Sequence, residues 1–156
     1  MHPSLCGDIY LVLERSLTFC LPSLKKLQLD IGYVEMNSMD NLLSSCPILE
    51  TLELSIAPDR LARLRVPPSL KRFKFTVENN FGAYLKIDAP NLKYLSLTNI
   101  TFGNAATVGN LDKVDEAYLD VFSTPENESV DPLFDLFRAL SRIKHLVLHL
   151  STTKVS

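Results

Sequence analysis

Side chains capable of catalysis or metal binding are few in this sequence. His145 and His149 would share one face of a strand, but about 13 Å would separate them at a rise of about 3.3 Å per residue. One metal ion with ordinary histidine ligands cannot span that distance. Cys46 follows the apolar pair Leu42 and Leu43, which favours a buried structural thiol over a reactive one. Neither residue type predicts a reactive centre.

Motifs for covalent catalysis or phosphate binding are also missing. No serine lies in the Gly-x-Ser-x-Gly pattern of a nucleophile elbow, and the five glycines are scattered singly, so no glycine-rich loop can hold a phosphate. The basic residues Lys71, Arg72 and Lys74 alternate with Phe73 and Phe75, as in stacking platforms for single-stranded nucleic acid. A strand with both phenylalanines inside is the favoured alternative. We therefore expect no enzyme activity, no cofactor, no metal and no nucleic-acid partner.

The composition predicts one globular domain. The chain has 156 residues, is 46% hydrophobic and carries 16 basic against 18 acidic residues, which excludes intrinsic disorder and gives no basic surface for nucleic acid. No apolar run approaches the roughly 18 to 20 residues that span a bilayer, and we expect no secretory signal. Three cysteines disfavour a disulfide framework. We therefore expect a cytoplasmic or nuclear protein with no membrane partner.

An internal repeat is the strongest feature of the sequence. Four segments share the pattern Pro-x-Leu-x-x-Φ-x-Φ, where Φ is a large apolar residue: Leu21–Asp30, Cys46–Ser55, Pro67–Thr76 and Ala89–Thr98. Two weaker copies, in which Asp112 and Ser141 replace the proline, follow at Leu111–Asp120 and Leu140–His149. The first apolar positions are separated by 25, 21, 22, 22 and 29 residues, which is the range of leucine-rich repeats.

This periodicity predicts an α/β fold. Alternation in Φ-x-Φ places both apolar side chains on one face of a short strand, and stacked repeats bury them together. We expect one leucine-rich-repeat solenoid over residues 1–156, with about six repeats, a parallel sheet on the concave face and irregular or helical returns on the convex face. The first strand is expected near Ile9, where an open sheet edge would favour aggregation. The return from Asn99 to Asn110 is expected to be irregular.

Two returns carry helix patterns. Ser38 is expected to cap a helix that begins near Met39, with Leu42 and Leu43 facing inward. Asp131 followed by Pro132 predicts the start of a second helix. Its inward residues are expected to be Leu133, Phe134, Phe137 and Leu140.

The positions between the apolar strand residues point out of the sheet and predict a binding surface. The candidate partner-binding residues are Lys26, Gln28, Glu53, Arg72, Lys74, Tyr94, Ser96, Glu116, Tyr118 and His145. Their charge changes sign from strand to strand, which favours a specific protein or peptide over a polyanion. Arg72, Tyr94 and Tyr118 are the favoured hot spots, because Tyr and Arg are enriched where binding energy concentrates. Alternatively, all of these are ordinary solvated strand residues.

Three segments carry a resemblance to a known family. LPSLKKLQL, LLSSCPILETLELS and APNLKYLSLTNI resemble the leucine-rich-repeat region of plant F-box proteins, particularly those that end in an FBD domain. The most specific segment runs from Leu42 to Glu50, and the resemblance covers residues 11–150. It implies a substrate-recognition region of an SCF-type ubiquitin ligase, in which an F-box docks a Skp-type adaptor and the repeats bind a protein or peptide substrate.

The expected architecture differs from that of the family at both ends of the chain. We expect no F-box and no complete FBD domain in this chain, which would make it a fragment or a truncated form. Binding of a Skp-type adaptor is therefore expected only of a longer form that carries an F-box. The alternative is a leucine-rich-repeat domain of an immune receptor or scaffold protein unrelated to ubiquitin.

Overall fold

The computed structural model describes residues 4–11, 20–34, 36–58, 62–78, 83–100, 107–123 and 131–152. The strands in these ranges are β1 (Ser4–Leu11), β2 (Lys26–Val34), β3 (Thr51–Pro58), β4 (Ala62–Arg65), β5 (Arg72–Val77), β6 (Ala83–Ile87), β7 (Tyr94–Ile100), β8 (Thr107–Val108), β9 (Glu116–Ser123) and β10 (His145–Thr152). The helices are α1 (Met36–Ser44) and α2 (Asp131–Ala139).

The strands that follow the repeat pattern form one inner sheet. Seven strands lie in the order β1-β2-β3-β5-β7-β9-β10, and every neighbouring pair is parallel. Equivalent positions pair across the repeats: Lys26 with Thr51, Thr51 with Arg72, Arg72 with Tyr94 and Tyr94 with Glu116. The two divergent copies stay in this register, because β9 pairs with both β7 and β10. The predicted leucine-rich-repeat solenoid is confirmed.

The same turn precedes six of these strands. In the first, the Leu24 N–H donates to the Leu21 carbonyl at 3.2 Å. The equivalent bonds are Leu49 to Cys46, Leu70 to Pro67, Leu92 to Ala89, Val114 to Leu111 and Ile143 to Leu140. Proline stands second in four of the turns, where its fixed φ favours the turn conformation and no donor is needed. The repeating proline is therefore a turn residue.

The core lies behind the inner sheet. Strand alternation and the leucine of each turn bury one continuous set of side chains, none more than 5% exposed: Leu27, Leu29, Leu49, Leu52, Leu54, Leu70, Phe73, Phe75, Leu92, Leu95, Leu97, Ala117 and Leu119. The rings of Phe73 and Phe75 stack at 5.9 Å and are fully buried. They cannot stack on nucleic-acid bases, so the interpretation as a buried strand is confirmed.

A second layer closes the core on the convex side. Strands β4, β6 and β8 form a parallel sheet, with α1 packed against β4 and α2 against β8. Leu64, Val66, Leu85 and Ile87 enter the core from this layer and are almost fully buried. The prediction of an irregular return from Asn99 to Asn110 is wrong near the end of that segment, because residues 107–108 form β8. The backbone groups of β8 pair with those of β6, so they have hydrogen-bond partners.

Three local predictions need correction. Helix α1 begins at Met36, so Ser38 lies inside it instead of capping it at Met39. Strand β1 begins at Ser4, before Ile9. Helix α2 begins at Asp131 as predicted, but Phe134 is 49% exposed.

The buried face of α2 was predicted in part, because Leu140 faces inward as expected whereas Leu136 was missed. Leu136 and Leu140 are buried at 0% and 3%, and they lie four residues apart on the same face. The side chain of Leu133 lies outside the described residues, whereas Phe137 is partly buried against the core. The packing of α2 on β8 therefore buries the leucines and leaves Phe134 exposed.

Deleting a core ring tests the importance of the stacked interior. Phe73→Ala should lower the free energy of unfolding by about 3 to 5 kcal/mol, because a fully buried phenylalanine leaves a cavity. Lys74→Ala, on the opposite face of the same strand, should change it by no more than about 0.5 kcal/mol. Urea unfolding followed by circular dichroism measures both. Equal effects would contradict the assigned faces of β5.

Candidate protein-binding face

The inner sheet presents three rows of side chains on the face opposite the core. The first row is Lys26, Thr51, Arg72, Tyr94, Glu116 and His145. The second row is Gln28, Glu53, Lys74, Ser96, Tyr118 and Val147. The third row is Asp30, Ser55, Thr76, Thr98, Asp120 and His149. All ten predicted site residues lie in the first two rows, while their role in binding stays a prediction.

Four of these side chains form a connected line across four strands. Gln28 Nε2 donates a hydrogen bond to Glu53 Oε2 at 2.5 Å, and Arg72 Nε lies 3.9 Å from Glu53 Oε1. The guanidinium carbon of Arg72 lies 3.8 Å from the centre of the Tyr94 ring, in cation–π geometry. Side chains already held in place lose less conformational entropy when a partner binds. This line is therefore a preorganised part of the face.

A shallow depression of about 240 Å³ lies beside this line. Its polar lining is Gln28, Asp30, Glu53, Ser55, Lys74 and Thr76, from β2, β3 and β5. Within the described residues, the exposed amine of Lys74 has neither a hydrogen bond nor an ion pair. The volume falls below the roughly 300 to 1,000 Å³ of small-molecule pockets. The depression suits one side chain of a partner better than a whole small ligand.

Ser96 is the exception among the predicted residues. Strand alternation places it in the second row, between Lys74 and Tyr118, but only 4% of its surface is exposed. A small side chain between two large ones offers almost no area to a partner. Ser96 therefore has little to contribute to direct contact.

The C-terminal part of the face carries rings instead of paired charges. The rings of Tyr118 and His149 lie 5.8 Å apart and are tilted by 48°. His145 pairs in register with Glu116, and His149 with Asp120. Within the described ranges, no three His, Cys, Asp or Glu residues are placed to hold a metal ion. In those ranges, too, no helix has the length and apolar character to cross a membrane.

A row of charges at the start of the strands was missed by the sequence reasoning. Lys71 Nζ lies 3.2 Å from Glu50 Oε1, and Lys144 Nζ lies 3.4 Å from Asp115 Oδ1. The residues of both pairs occupy equivalent positions one residue before their strands. That spacing was available in the repeat alignment. Exposed pairs of this kind contribute little to stability.

A larger depression on the convex side was also missed. It has a volume of about 590 Å³ and lies between α1, β4 and two of the proline turns. Asp40 and Arg65 are both part of its wall, and the buried Cys46 lies in its lining. Partial burial raises the pKa of Asp40 above its ordinary value, and the smaller effect of Arg65 opposes this. The Cys46 thiol donates to the Leu42 carbonyl at 3.4 Å, which supports its structural role.

The family of the chain is decided by its match to known repeats. The profile of the family described as "FBD-associated F-box protein At5g56370, LRR repeats" matches residues 9–118, more than half of the chain. This chain belongs to that family. The resemblance of its repeats to those of plant F-box proteins is thereby confirmed.

Three relatives of this leucine-rich-repeat chain come from Arabidopsis thaliana. FBD-associated F-box protein At5g56370 is 32% identical over 138 residues, covering 85% of this chain and 30% of the relative. F-box/LRR-repeat protein At4g14096 is 35% identical over 148 residues, covering 86% and 31%. F-box/FBD/LRR-repeat protein At4g26340 is 32% identical over 151 residues, covering 94% and 34%. The chain thus spans about a third of the length of these relatives. No solved structure matches it.

A double-mutant cycle tests the contact between Arg72 and Tyr94. Changing each to alanine, singly and together, should give a coupling free energy of about 0.5 to 1 kcal/mol, as expected for an exposed cation–π pair. The pair Lys26 and Tyr94, which lies three strands apart, should be additive within about 0.5 kcal/mol. Urea unfolding provides the values. Zero coupling would show that Arg72 and Tyr94 do not stabilise each other, and the preorganised line would then end at Arg72.

The convex depression predicts a pH effect on stability. Because the folded-state pKa of Asp40 is raised, the folded protein keeps this proton longer than the unfolded chain, and stability falls as pH rises between the two pKa values. Asp40→Asn should lack this part of the pH dependence, and Arg65→Gln, which removes the opposing charge, should enlarge it. Unfolding curves between about pH 3 and 7 measure the difference from wild type. A smaller fall in Arg65→Gln would contradict the assignment.

Proposed function

We propose that this leucine-rich-repeat region binds a protein or peptide through its inner-sheet face, and that the bound protein is a substrate of an SCF-type ubiquitin ligase. The preorganised line from Gln28 to Tyr94, next to the depression at Lys74, is the observation that carries the binding proposal. Membership of an F-box protein family supports the link to ubiquitin ligases.

The character of the face supports a protein ligand. Charged, amide and aromatic side chains alternate along the first two rows, and the volume of the depression suits one side chain better than a small molecule. Tyr and Arg at the centre of such a surface are typical of binding hot spots. The role is recognition without catalysis, cofactor or metal, in the cytoplasm or the nucleus.

The relatives favour this function over the alternative of an immune-receptor or scaffold domain. Each relative named above is described as an F-box protein. Because the chain spans about a third of their length, adaptor binding is proposed only for a longer form that carries an F-box. The recognition role itself needs only the repeats.

Affinity capture tests the binding face. The chain, immobilised and incubated with Arabidopsis extract under proteasome inhibition, should retain proteins that a Tyr94→Ala, Lys74→Glu variant loses. Loss of one hot-spot tyrosine alone should weaken binding at least about tenfold. Lys86→Glu is the matched charge control. Lys86 is exposed on β6 of the convex sheet, so this variant should retain the captured proteins. If the Tyr94→Ala, Lys74→Glu variant still captures the proteins and Lys86→Glu does not, the binding site lies on the convex side.

A second capture experiment tests the ubiquitin link. The chain alone should not bind a purified Skp-type adaptor, whereas a fusion that adds an F-box should bind both the adaptor and the proteins captured by the repeats. Ubiquitination of a captured protein by the reconstituted ligase is the decisive readout. A captured protein that is never modified would favour a scaffold role, and adaptor binding by the repeats alone would reveal a different docking surface.

A further inference from the structure

The convex depression has the size of a small-molecule site, in contrast to the shallow depression on the inner-sheet face. Its volume of about 590 Å³ lies within the roughly 300 to 1,000 Å³ of ligand pockets. Its walls come from residues 40–69, and the inner strands of these repeats, β3 and β5, each have a neighbouring strand on both sides. The convex depression is therefore a cavity within the stack of repeats.

Hydrogen bonds and packing hold the walls of the convex depression in place. The two proline turns that border it are joined by the Ser69 hydroxyl, which donates to the Leu49 carbonyl at 2.6 Å. The other walls are also fixed, because α1 packs against β4 and the Val66 N–H donates to the Lys86 carbonyl at 3.0 Å. Walls that are already ordered lose little conformational entropy when a ligand enters. The convex depression is thus preorganised for binding.

Most of the lining is apolar. It consists of buried side chains and proline rings: Leu43, Cys46, Val66, Pro47, Pro67 and Pro68. The first three of these are no more than 5% exposed. An apolar group that packs against them is removed from water, which favours binding through the hydrophobic effect. This part of the lining selects a ligand with a large apolar group.

Two opposite charges also face the convex depression. Asp40 lies on α1 and Arg65 is the last residue of β4, and both residues line the cavity. Within the described residues, neither side chain has a hydrogen bond or an ion pair. The hydroxyls of Ser44 and Ser69, by contrast, already donate to backbone carbonyls. The carboxylate and the guanidinium are therefore the charged groups with which a ligand can pair.

This pair of charges restricts the ligand further. An anion would be attracted by Arg65 and repelled by Asp40, and a cation would experience the reverse. A ligand with both an ammonium and a carboxylate group satisfies both side chains, because the ammonium donates to Asp40 and the carboxylate accepts from Arg65. The two side chains are near enough to interact electrostatically, so the two ligand charges must also be close together.

We propose that the convex depression binds a free α-amino acid with a large apolar side chain, such as leucine or phenylalanine. The ammonium of the amino acid pairs with Asp40, its carboxylate pairs with Arg65, and its side chain packs against the apolar lining. This site is separate from the protein-binding face, because the two depressions share no residue. The repeat region thus carries a small-ligand site on its convex side.

NMR titration of the ¹⁵N-labelled full chain with L-phenylalanine at about pH 7, where both ligand groups are charged, tests the site. The dissociation constant should be about 0.1 to 1 mM, with the largest shifts among the amides of residues 40–69. Glycine carries the same charges without an apolar group, and it should bind at least about tenfold more weakly.

Two derivatives of phenylalanine separate a free amino acid from the end of a protein chain. N-acetyl-L-phenylalanine lacks the ammonium and L-phenylalaninamide lacks the carboxylate, so each should bind at least about fivefold more weakly than L-phenylalanine. Equal binding of the acetyl derivative would indicate a site for a C-terminal residue, and equal binding of the amide would indicate a site for an N-terminal residue. Either result would overturn the proposal.

Variants of the two charged residues test which ligand group each one holds. In Arg65→Gln, L-phenylalanine should bind no more than about twofold more tightly than its amide, because the carboxylate has lost its partner. In Asp40→Asn, L-phenylalanine and the acetyl derivative should likewise bind within about twofold of each other. Both positions are exposed, so the substitutions are compatible with folding.

Lys86→Gln is the matched control for the loss of a positive charge. Lys86 pairs in register with Arg65 but does not line the convex depression, so this variant should change the affinity for L-phenylalanine by less than about twofold. Preferences among the three ligands that stay the same in Arg65→Gln and Asp40→Asn would overturn the proposal. So would unchanged amide signals of residues 40–69 at about 10 mM L-phenylalanine.

Discussion

One carbonyl group at the end of each turn holds consecutive repeats together. The Lys25 carbonyl accepts the amide hydrogens of Glu50 and Thr51, and the Glu50 carbonyl accepts those of the equivalent pair in the next repeat. The pattern continues to the Asp115 carbonyl, which accepts two N–H groups from the last repeat at 3.0 Å each. Because both N–H groups bond to the same carbonyl, a neighbouring strand cannot slip by one residue without losing both hydrogen bonds. The register of the inner sheet from β2 to β10 follows from this contact.

Register in turn determines which side chains meet. In a parallel sheet, a one-residue slip moves every side chain to the other face, so the line from Gln28 to Tyr94 exists only because the turns align four strands. The same alignment brings Phe73 and Phe75 into the continuous core, with the leucines of neighbouring strands on either side. The binding face and the core are thus two products of a single constraint. A variant can change one row without disturbing the other face.

The repeat pattern made the strands, their order and the composition of the outward rows predictable. It could not reveal the convex sheet, because β4 and β8 are four and two residues long and carry too little alternation to stand out from a loop. Helix α2 shows a related limit: Leu136 and Phe134 are both apolar, and only the position of β8 decides which one is buried. The burial of Ser96 depends on its large neighbours, which a single strand does not contain. The local sequence pattern therefore predicts on which face of a strand or helix a residue lies, whereas the neighbouring elements determine how exposed that residue is.

The divergent repeats explain why the solenoid tolerates sequence change. Asp112 and Ser141 replace proline in the last two turns, yet the Val114 and Ile143 amides still bond to the turn carbonyls at 3.2 and 3.0 Å. The turn needs that backbone bond, and proline only favours the conformation that makes it. Since backbone groups carry the stacking, outward side chains are free to vary from repeat to repeat. A solenoid built in this way can present different outward side chains on one repeated arrangement of turns.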